Sequence, residues 1–128
     1  MQPATGDTER RNRFEALRRE CDGLLELEAG WDSYDAEPPN DIAVDNAKTL
    51  LGILYRHGGP MPIHIGPTVE GGIAVVFSPR PNYLDVECYN DGDVLLGRTR
   101  SDGRAEVHAL ALPDTTEVLR RLREPLDV

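Results

Sequence analysis

The spacing of apolar residues changes near the middle of this chain, at Pro62, and this change limits the folds that the chain can adopt. Before Pro62 the apolar positions recur every three or four residues, which predicts amphipathic helices. After it they alternate, with turn signals about every ten residues, as in antiparallel strands. The helical spacing returns after Pro113. We therefore predict an α+β fold in which two N-terminal helices, a five-stranded antiparallel meander and a C-terminal helix follow one another, with the helices packed on one sheet face.

Two helical segments precede the strands. The first is expected from about Thr8 to Ala29, with Asp7 or Thr8 as N-cap, and its stripe consists of Phe14, Leu17, Cys21, Leu24 and Leu25. The second is expected to begin near Asn40 or Asp41 and to end at the glycines before Pro60. A chain of 128 residues predicts a single domain spanning residues 1–128, with residues 1–7 flexible.

The two cysteines indicate the compartment. Cys21 lies on the helical stripe and Cys88 on the apolar face of a strand, so we expect two buried, reduced thiols. A disulfide between helix and sheet is the alternative. The first twenty residues lack the apolar centre of a secretory signal, and no apolar run is long enough for a bilayer. We therefore expect a cytoplasmic protein without membrane contact.

Acidic residues are concentrated in one part of the chain. Between Glu20 and Ala47 there are nine acids and no Lys or Arg, and nine negative charges equal the net charge of the whole protein, −9. The acids are Glu20, Asp22, Glu26, Glu28, Asp32, Asp35, Glu37, Asp41 and Asp45. This balance argues against direct nucleic-acid binding, which requires clustered basic residues, and favours a basic protein partner.

The acidic span has three interpretations. It is a solvated surface, a docking strip for a basic partner, or a weak divalent-cation site at Asp32, Asp35 and Glu37 that lacks the ligand spacing of an EF-hand. The expected partner-binding residues are Glu26, Glu28, Trp31, Asp32, Tyr34, Asp35, Glu37 and Asp41. Trp31 is either an anchor packed across the helix junction or an exposed contact residue.

No catalytic pattern is found, so an enzyme is the less favoured reading, and no metal or cofactor is expected. Among the histidines, His64 and His108 lie on predicted strands, on the same outer face as Asp85 and Glu87 in one reading, which would allow a carboxylate–histidine site. The segment 66–72, GPTVEGG, lacks the Gly-Lys-Ser/Thr ending of a phosphate loop and predicts a hairpin turn.

Two motifs in the middle of the chain carry a resemblance. The first, GWDSYDAEP, contains Gly30, Trp31, Asp32, Tyr34, Ala36 and Pro38, and the second, GPTVEGG, contains Gly66, Pro67, Thr68, Gly71 and Gly72. Over residues 28–95 the chain resembles a loose group of small bacterial proteins with a GWDxYxAxP loop followed by a GPTxxGG turn. That group has no established activity, so the resemblance implies a fold and no function.

Three functions are compatible with these observations. The first is a non-catalytic interaction module, such as an antitoxin, an immunity protein or an inhibitor, that docks its acidic strip on a basic protein. The second is a small enzyme or ligand-binding domain with a pocket at Trp31, Asp32 and Tyr34, with His64 as a further candidate. The third is a structural subunit of a phage or bacterial assembly that pairs through Phe14, Leu17 and Leu24. The oligomeric state stays open.

Overall fold

The computed structural model describes residues 5–32, 35–79 and 81–123. In this part of the chain the helices are α1 (Thr5–Gly23), α2 (Asp41–Arg56) and α3 (Thr115–Arg123). The strands are β1 (His64–Thr68), β2 (Gly72–Ser78), β3 (Tyr83–Tyr89), β4 (Val94–Thr99) and β5 (Ala105–Ala109). They form one antiparallel sheet in the order β1-β2-β3-β4-β5. The predicted α+β class, with three helices and a five-stranded meander, is confirmed.

The first helix differs from its prediction at both ends. α1 begins at Thr5 and ends at Gly23, and a single 3₁₀ turn covers Leu24–Glu26. Glycine is a poor helix former, which explains why the α-helix stops there. The spacing of three in a 3₁₀ turn resembles that of an α-helix, so the apolar stripe could not reveal the change. Leu25, assigned to the stripe, is 40% exposed. Residues 5–7 form the first turn of α1, and the flexibility expected of residues 1–7 stays a prediction.

The second helix agrees with its prediction. Asn40 is the N-cap, and its side-chain oxygen accepts a hydrogen bond from the Ala43 amide at 3.0 Å. The helix ends at Arg56, followed by Gly58 with φ 66°. The five residues of its apolar face are all buried: Ala43, Ala47, Leu50, Leu51 and Leu54.

One hydrophobic core joins α1 and α2 to the sheet. Leu17, Cys21 and the apolar face of α2 belong to the same buried cluster as alternate residues of the central strands, including Ile73, Val75, Val86 and Cys88. The register places these strand residues on one face, because Ile73 is opposite Cys88 and Val75 is opposite Val86. Both cysteines are buried and free, and burial raises the pKa of each thiol to about 12.

The C-terminal helix is held by a buried arginine. Arg98 on β4 is 2% exposed, and its Nη2 donates to the Arg121 carbonyl of α3 at 2.9 Å. A guanidinium favours the carbonyl end of a helix, where the backbone dipoles place negative charge. Val118, Leu119 and Leu122 complete the contact of α3 with the core. α3 begins shortly after Pro113, where the helical spacing was expected to return, and the Glu117 amide donates to Asp114 Oδ1 at 3.2 Å.

A pair of asparagines connects the helical and strand halves. The Asn40 amide donates to Asn90 Oδ1 at 2.9 Å, and Asn40 Nδ2 donates to the Asn90 carbonyl at 3.0 Å. Asn90 Nδ2 donates to the Pro38 carbonyl at 3.1 Å, and its amide donates to the Gly71 carbonyl at 2.9 Å. The segment before α2 is therefore attached to the β3–β4 turn and to the β1–β2 turn.

No helix among the described residues has both the length and the apolar character that a bilayer crossing requires.

We predict that Asn90→Ala lowers the free energy of unfolding by about 1–3 kcal/mol, because it leaves the Asn40 amide and the Pro38 carbonyl without their partner. The measurement is urea denaturation followed by circular dichroism. Asn46→Ala is the matched control, since the hydrogen bond from Asn46 Nδ2 to the Gly92 carbonyl is 3.5 Å long and contributes little. Equal losses in the two variants would contradict a special role for Asn90.

Candidate functional site

The loop between α1 and α2 is closed by its own hydrogen bonds. The Gly30 amide donates to the Ala36 carbonyl at 2.9 Å, with Gly30 at φ 76°, a conformation that favours glycine. The Ala36 amide donates to Asp32 Oδ1 at 3.3 Å, and Trp31 Nε1 donates to the Glu37 carbonyl at 3.2 Å. Asn90 holds the end of the loop at Pro38. Its described residues are therefore fixed both locally and by the sheet.

The structure exposes most of the predicted partner-binding residues. Glu26, Glu28, Asp35, Glu37 and Asp41 are exposed, and we call these five residues the acidic loop. Trp31 and Asp32 are half-buried and serve to close the loop. Trp31 is thus neither fully core nor fully exposed. Tyr34 lies outside the described residues.

The acidic loop is not neutralised within the described chain. In residues 5–32, 35–79 and 81–123, none of its five carboxylates forms an ion pair. Asp22, which belongs to the same acidic span of the sequence, does form one, with Lys48 Nζ at 2.8 Å. The charge segregation seen in the sequence therefore persists in three dimensions at the acidic loop.

Sequence reasoning missed three acids on the turns that Asn90 joins to this loop. Asp91 and Asp93 follow Asn90, Glu70 precedes Gly71, and all three are exposed. Glu37 extends toward the β1–β2 turn, because a Cβ added at Gly71 would lie 3.7 Å from Glu37 Oε2. Their positions in turns indicated exposure, but only the contact of Asn90 with Pro38 and Gly71 shows that these turns adjoin the loop.

The GPTVEGG segment is a hairpin turn, as predicted. The Gly71 amide donates to the Thr68 carbonyl at 3.2 Å, and Gly71 has φ 87°. At Gly72 a Cβ would lie 2.4 Å from the Cys88 carbonyl oxygen, so only glycine fits beside β3. The two glycines therefore have steric roles in the turn and in the strand pairing.

A second group of acidic and phenolic side chains lies on the sheet face opposite the core. Tyr83 Oη donates to Asp85 Oδ2 at 2.9 Å, and Tyr89 Oη donates to Glu87 on the same strand. Tyr83, Asp85 and Glu87 border a groove of about 310 Å³ that reaches Gly97 and Val107. At Gly97 a Cβ would lie 2.8 Å from Asp85 Oδ1, so glycine makes room for the carboxylate.

Asp85 is buried although it points away from the core. It is 4% exposed, and this loss of solvation raises the pKa of its carboxyl to about 6. The hydrogen bond from Tyr83 acts in the opposite direction, and the nearby Glu87 adds to the rise. The pKa of the Tyr89 hydroxyl is raised above its usual range by its hydrogen bond to Glu87. The carboxyl of Asp85 on this face therefore has a pKa well above the usual range of an aspartate.

The histidines do not complete a catalytic pair with Asp85. His64 is opposite Val76, which is opposite Asp85, so two strand spacings of about 5 Å each separate them. His108 is opposite Leu96, on the core-facing side, and its Nε2 lies 3.5 Å from Arg121 Nη1. The idea that His108 shares the outer face with Asp85 and Glu87 is wrong, because the alternation of β5 turns it the other way. In the described residues, no group of three His, Cys, Asp or Glu residues could hold a metal ion.

No family model, curated protein or solved structure matches this chain.

We predict that Asp85→Asn raises the free energy of unfolding by about 1–2 kcal/mol at pH 7.5 and by much less at pH 4. The folded pKa lies above the unfolded one, so burying the charged carboxylate costs stability above pH 6, and protonation removes that cost as the pH falls toward 4. Asparagine stays neutral and still accepts from Tyr83. Urea denaturation between pH 4 and 8 tests this, with the exposed Glu9→Gln as control. If both variants keep the pH dependence of the parent protein, Asp85 is not its source.

Proposed function

We propose that this protein is a non-catalytic interaction module that binds a basic protein through its acidic loop, in the manner of an antitoxin, an immunity protein or an inhibitor. The observation that carries the proposal is the set of five exposed carboxylates, Glu26, Glu28, Asp35, Glu37 and Asp41, without ion pairs in the described chain. Unpaired carboxylates attract a complementary basic surface and accelerate its association. A cytoplasmic location fits the two free, buried thiols.

The hydrogen bonds within the loop also favour binding, because they order it before a partner is present. Trp31, Asp32 and Gly30 fix its backbone, and Asn90 attaches its end to the sheet. A loop that is ordered before it meets a partner loses less conformational entropy on binding. The acids on the adjoining turns, Glu70, Asp91 and Asp93, extend the surface available to a basic partner.

The same charges make a nucleic acid an unsuitable partner for this surface. Phosphates bind where Lys and Arg are clustered, and the acidic loop offers none within the span from Glu20 to Ala47. A basic protein gains from the same field that would repel a nucleic acid.

The other two readings receive less support. The proposed self-pairing stripe of α1 is used within the chain: Leu17 is fully buried, and Phe14 stacks on Tyr55 with ring centroids 4.4 Å apart. A ligand pocket at the loop that contains Trp31 would use the indole, but the indole Nε1 already donates to the Glu37 carbonyl. The interaction module is therefore the reading that the geometry favours.

We expect capture from the native cell extract at low salt to retain a basic protein that high salt releases. With that protein purified, Glu28→Gln/Asp35→Asn/Glu37→Gln should slow association about tenfold at low salt and reduce its salt dependence, with a smaller effect on dissociation. Stopped-flow or surface plasmon resonance measures both rates.

The matched control is Asp7→Asn/Glu9→Gln/Glu15→Gln, which removes the same number of charges from exposed positions of α1. It should change the association rate by less than about twofold, as expected for charges remote from the interface. An equal slowing by both triple variants would assign the effect to net charge and would reject the acidic loop as the interface.

A further inference from the structure

A groove of about 500 Å³ runs between α1 and α2, on residues that the acidic loop does not use. Its walls include Arg18 from α1 and Lys48, Thr49, Gly52 and Arg56 from α2, with Asp45 as an acidic member. The volume lies in the range of small-molecule sites. Three cationic side chains thus meet in a protein whose net charge is −9.

A glycine inside α2 makes room for one of these cations. Gly52 lies four residues before Arg56, and the Arg56 guanidinium folds back over it: a Cβ at position 52 would be 3.0 Å from Arg56 Nη1. Glycine in a helix interior is destabilising relative to alanine, so helix propensity does not explain a glycine at position 52. Its effect here is to let the guanidinium lie close to the helix surface, at the side of the groove.

A second cation is positioned by stacked rings. Phe14 and Tyr55 stack with an interplanar angle of 6°, and the Arg18 guanidinium lies 5.7 Å from the centroid of Phe14. A ring face attracts a cation while leaving its N–H groups available in the plane of the guanidinium. In the described part of the chain, neither Arg18 nor Arg56 has a hydrogen bond or an ion pair with another residue.

The other charges at the groove, one positive and two negative, sum to −1. Lys48 Nζ bonds to Asp22 Oδ1 at 2.8 Å, and Asp45 supplies one further negative charge. With the two arginines the groove has a net charge of +1, and the Thr49 hydroxyl adds a donor beside them. Guanidinium groups bind phosphate and carboxylate groups through paired N–H donors, which a single ammonium cannot match.

We propose that this groove binds a small polyanion whose phosphate or carboxylate groups are held by Arg18 and Arg56, with Thr49 and Lys48 as further donors. Gly52 is a positioning residue that acts through Arg56. The site shares no residue with the acidic loop. Its ligand is an anion, whereas the proposed partner of the acidic loop is a basic protein.

Isothermal titration calorimetry of the full chain with pyrophosphate and with citrate, at constant ionic strength, tests this proposal. We expect saturable binding that Arg56→Gln weakens at least tenfold. The matched control is Arg11→Gln, which removes the same charge from an exposed position of α1 outside the groove and should change affinity less than twofold. Pyrophosphate binding without citrate binding would identify phosphate as the natural group, and the reverse would identify carboxylate.

Gly52→Ala separates the site from folding. Because alanine favours the helix and only the flexible end of Arg56 stands in its way, the variant should unfold at the same or a higher temperature while binding the anion several-fold more weakly. The proposal is overturned if neither anion binds saturably, or if Arg11→Gln weakens binding as much as Arg56→Gln does.

Discussion

The reciprocal hydrogen bonds between Asn40 and Asn90 are the contact on which the arrangement of the surface depends. Asn40 is the N-cap of α2, and Asn90 starts the β3–β4 turn, so one contact sets where the second helix begins relative to the sheet. Asn90 also bonds to the Pro38 and Gly71 carbonyls, which lie in the two sequence motifs. The loop and the β1–β2 turn are more than thirty residues apart in the sequence. They form one surface because Asn90 donates a hydrogen bond to a carbonyl group of each.

Three arginines bind backbone carbonyl groups and not the acids of the loop. Arg10 donates to the Leu54 carbonyl, Arg98 to the Arg121 carbonyl and Arg123 to the His57 carbonyl. Each of these acceptors lies in the last turn of a helix or directly after it, where carbonyl groups lack helical partners. These bases thus hold helix ends to the rest of the fold and do not neutralise the acidic loop.

Periodicity predicted the elements because burial of one face imposes it, and α2 with its five buried apolar positions is the clearest case. It could not predict the end of α1, since a 3₁₀ turn continues nearly the same spacing past Gly23. Nor could it predict the burial of Asp85, which depends on the opposite residue, Gly97, having no side chain. For the candidate site, the sequence identified the acids of the loop, but the contributions of Glu70, Asp91 and Asp93 depend on tertiary contacts made by Asn90.

The acidic span of the sequence is divided by the fold into two electrostatic environments. Asp22 and Asp45 lie at the groove, close to the positive charges of Lys48 and the two arginines. Glu28, Glu37 and the other acids of the loop are exposed to solvent. Because exposed charges are screened over about 8 Å at physiological ionic strength, a net charge of −9 does not determine the potential at each site. An acidic docking surface and an anion-binding groove are therefore compatible on one small domain, because the potential at the groove depends most on Arg18, Lys48 and Arg56, the three cations that line it.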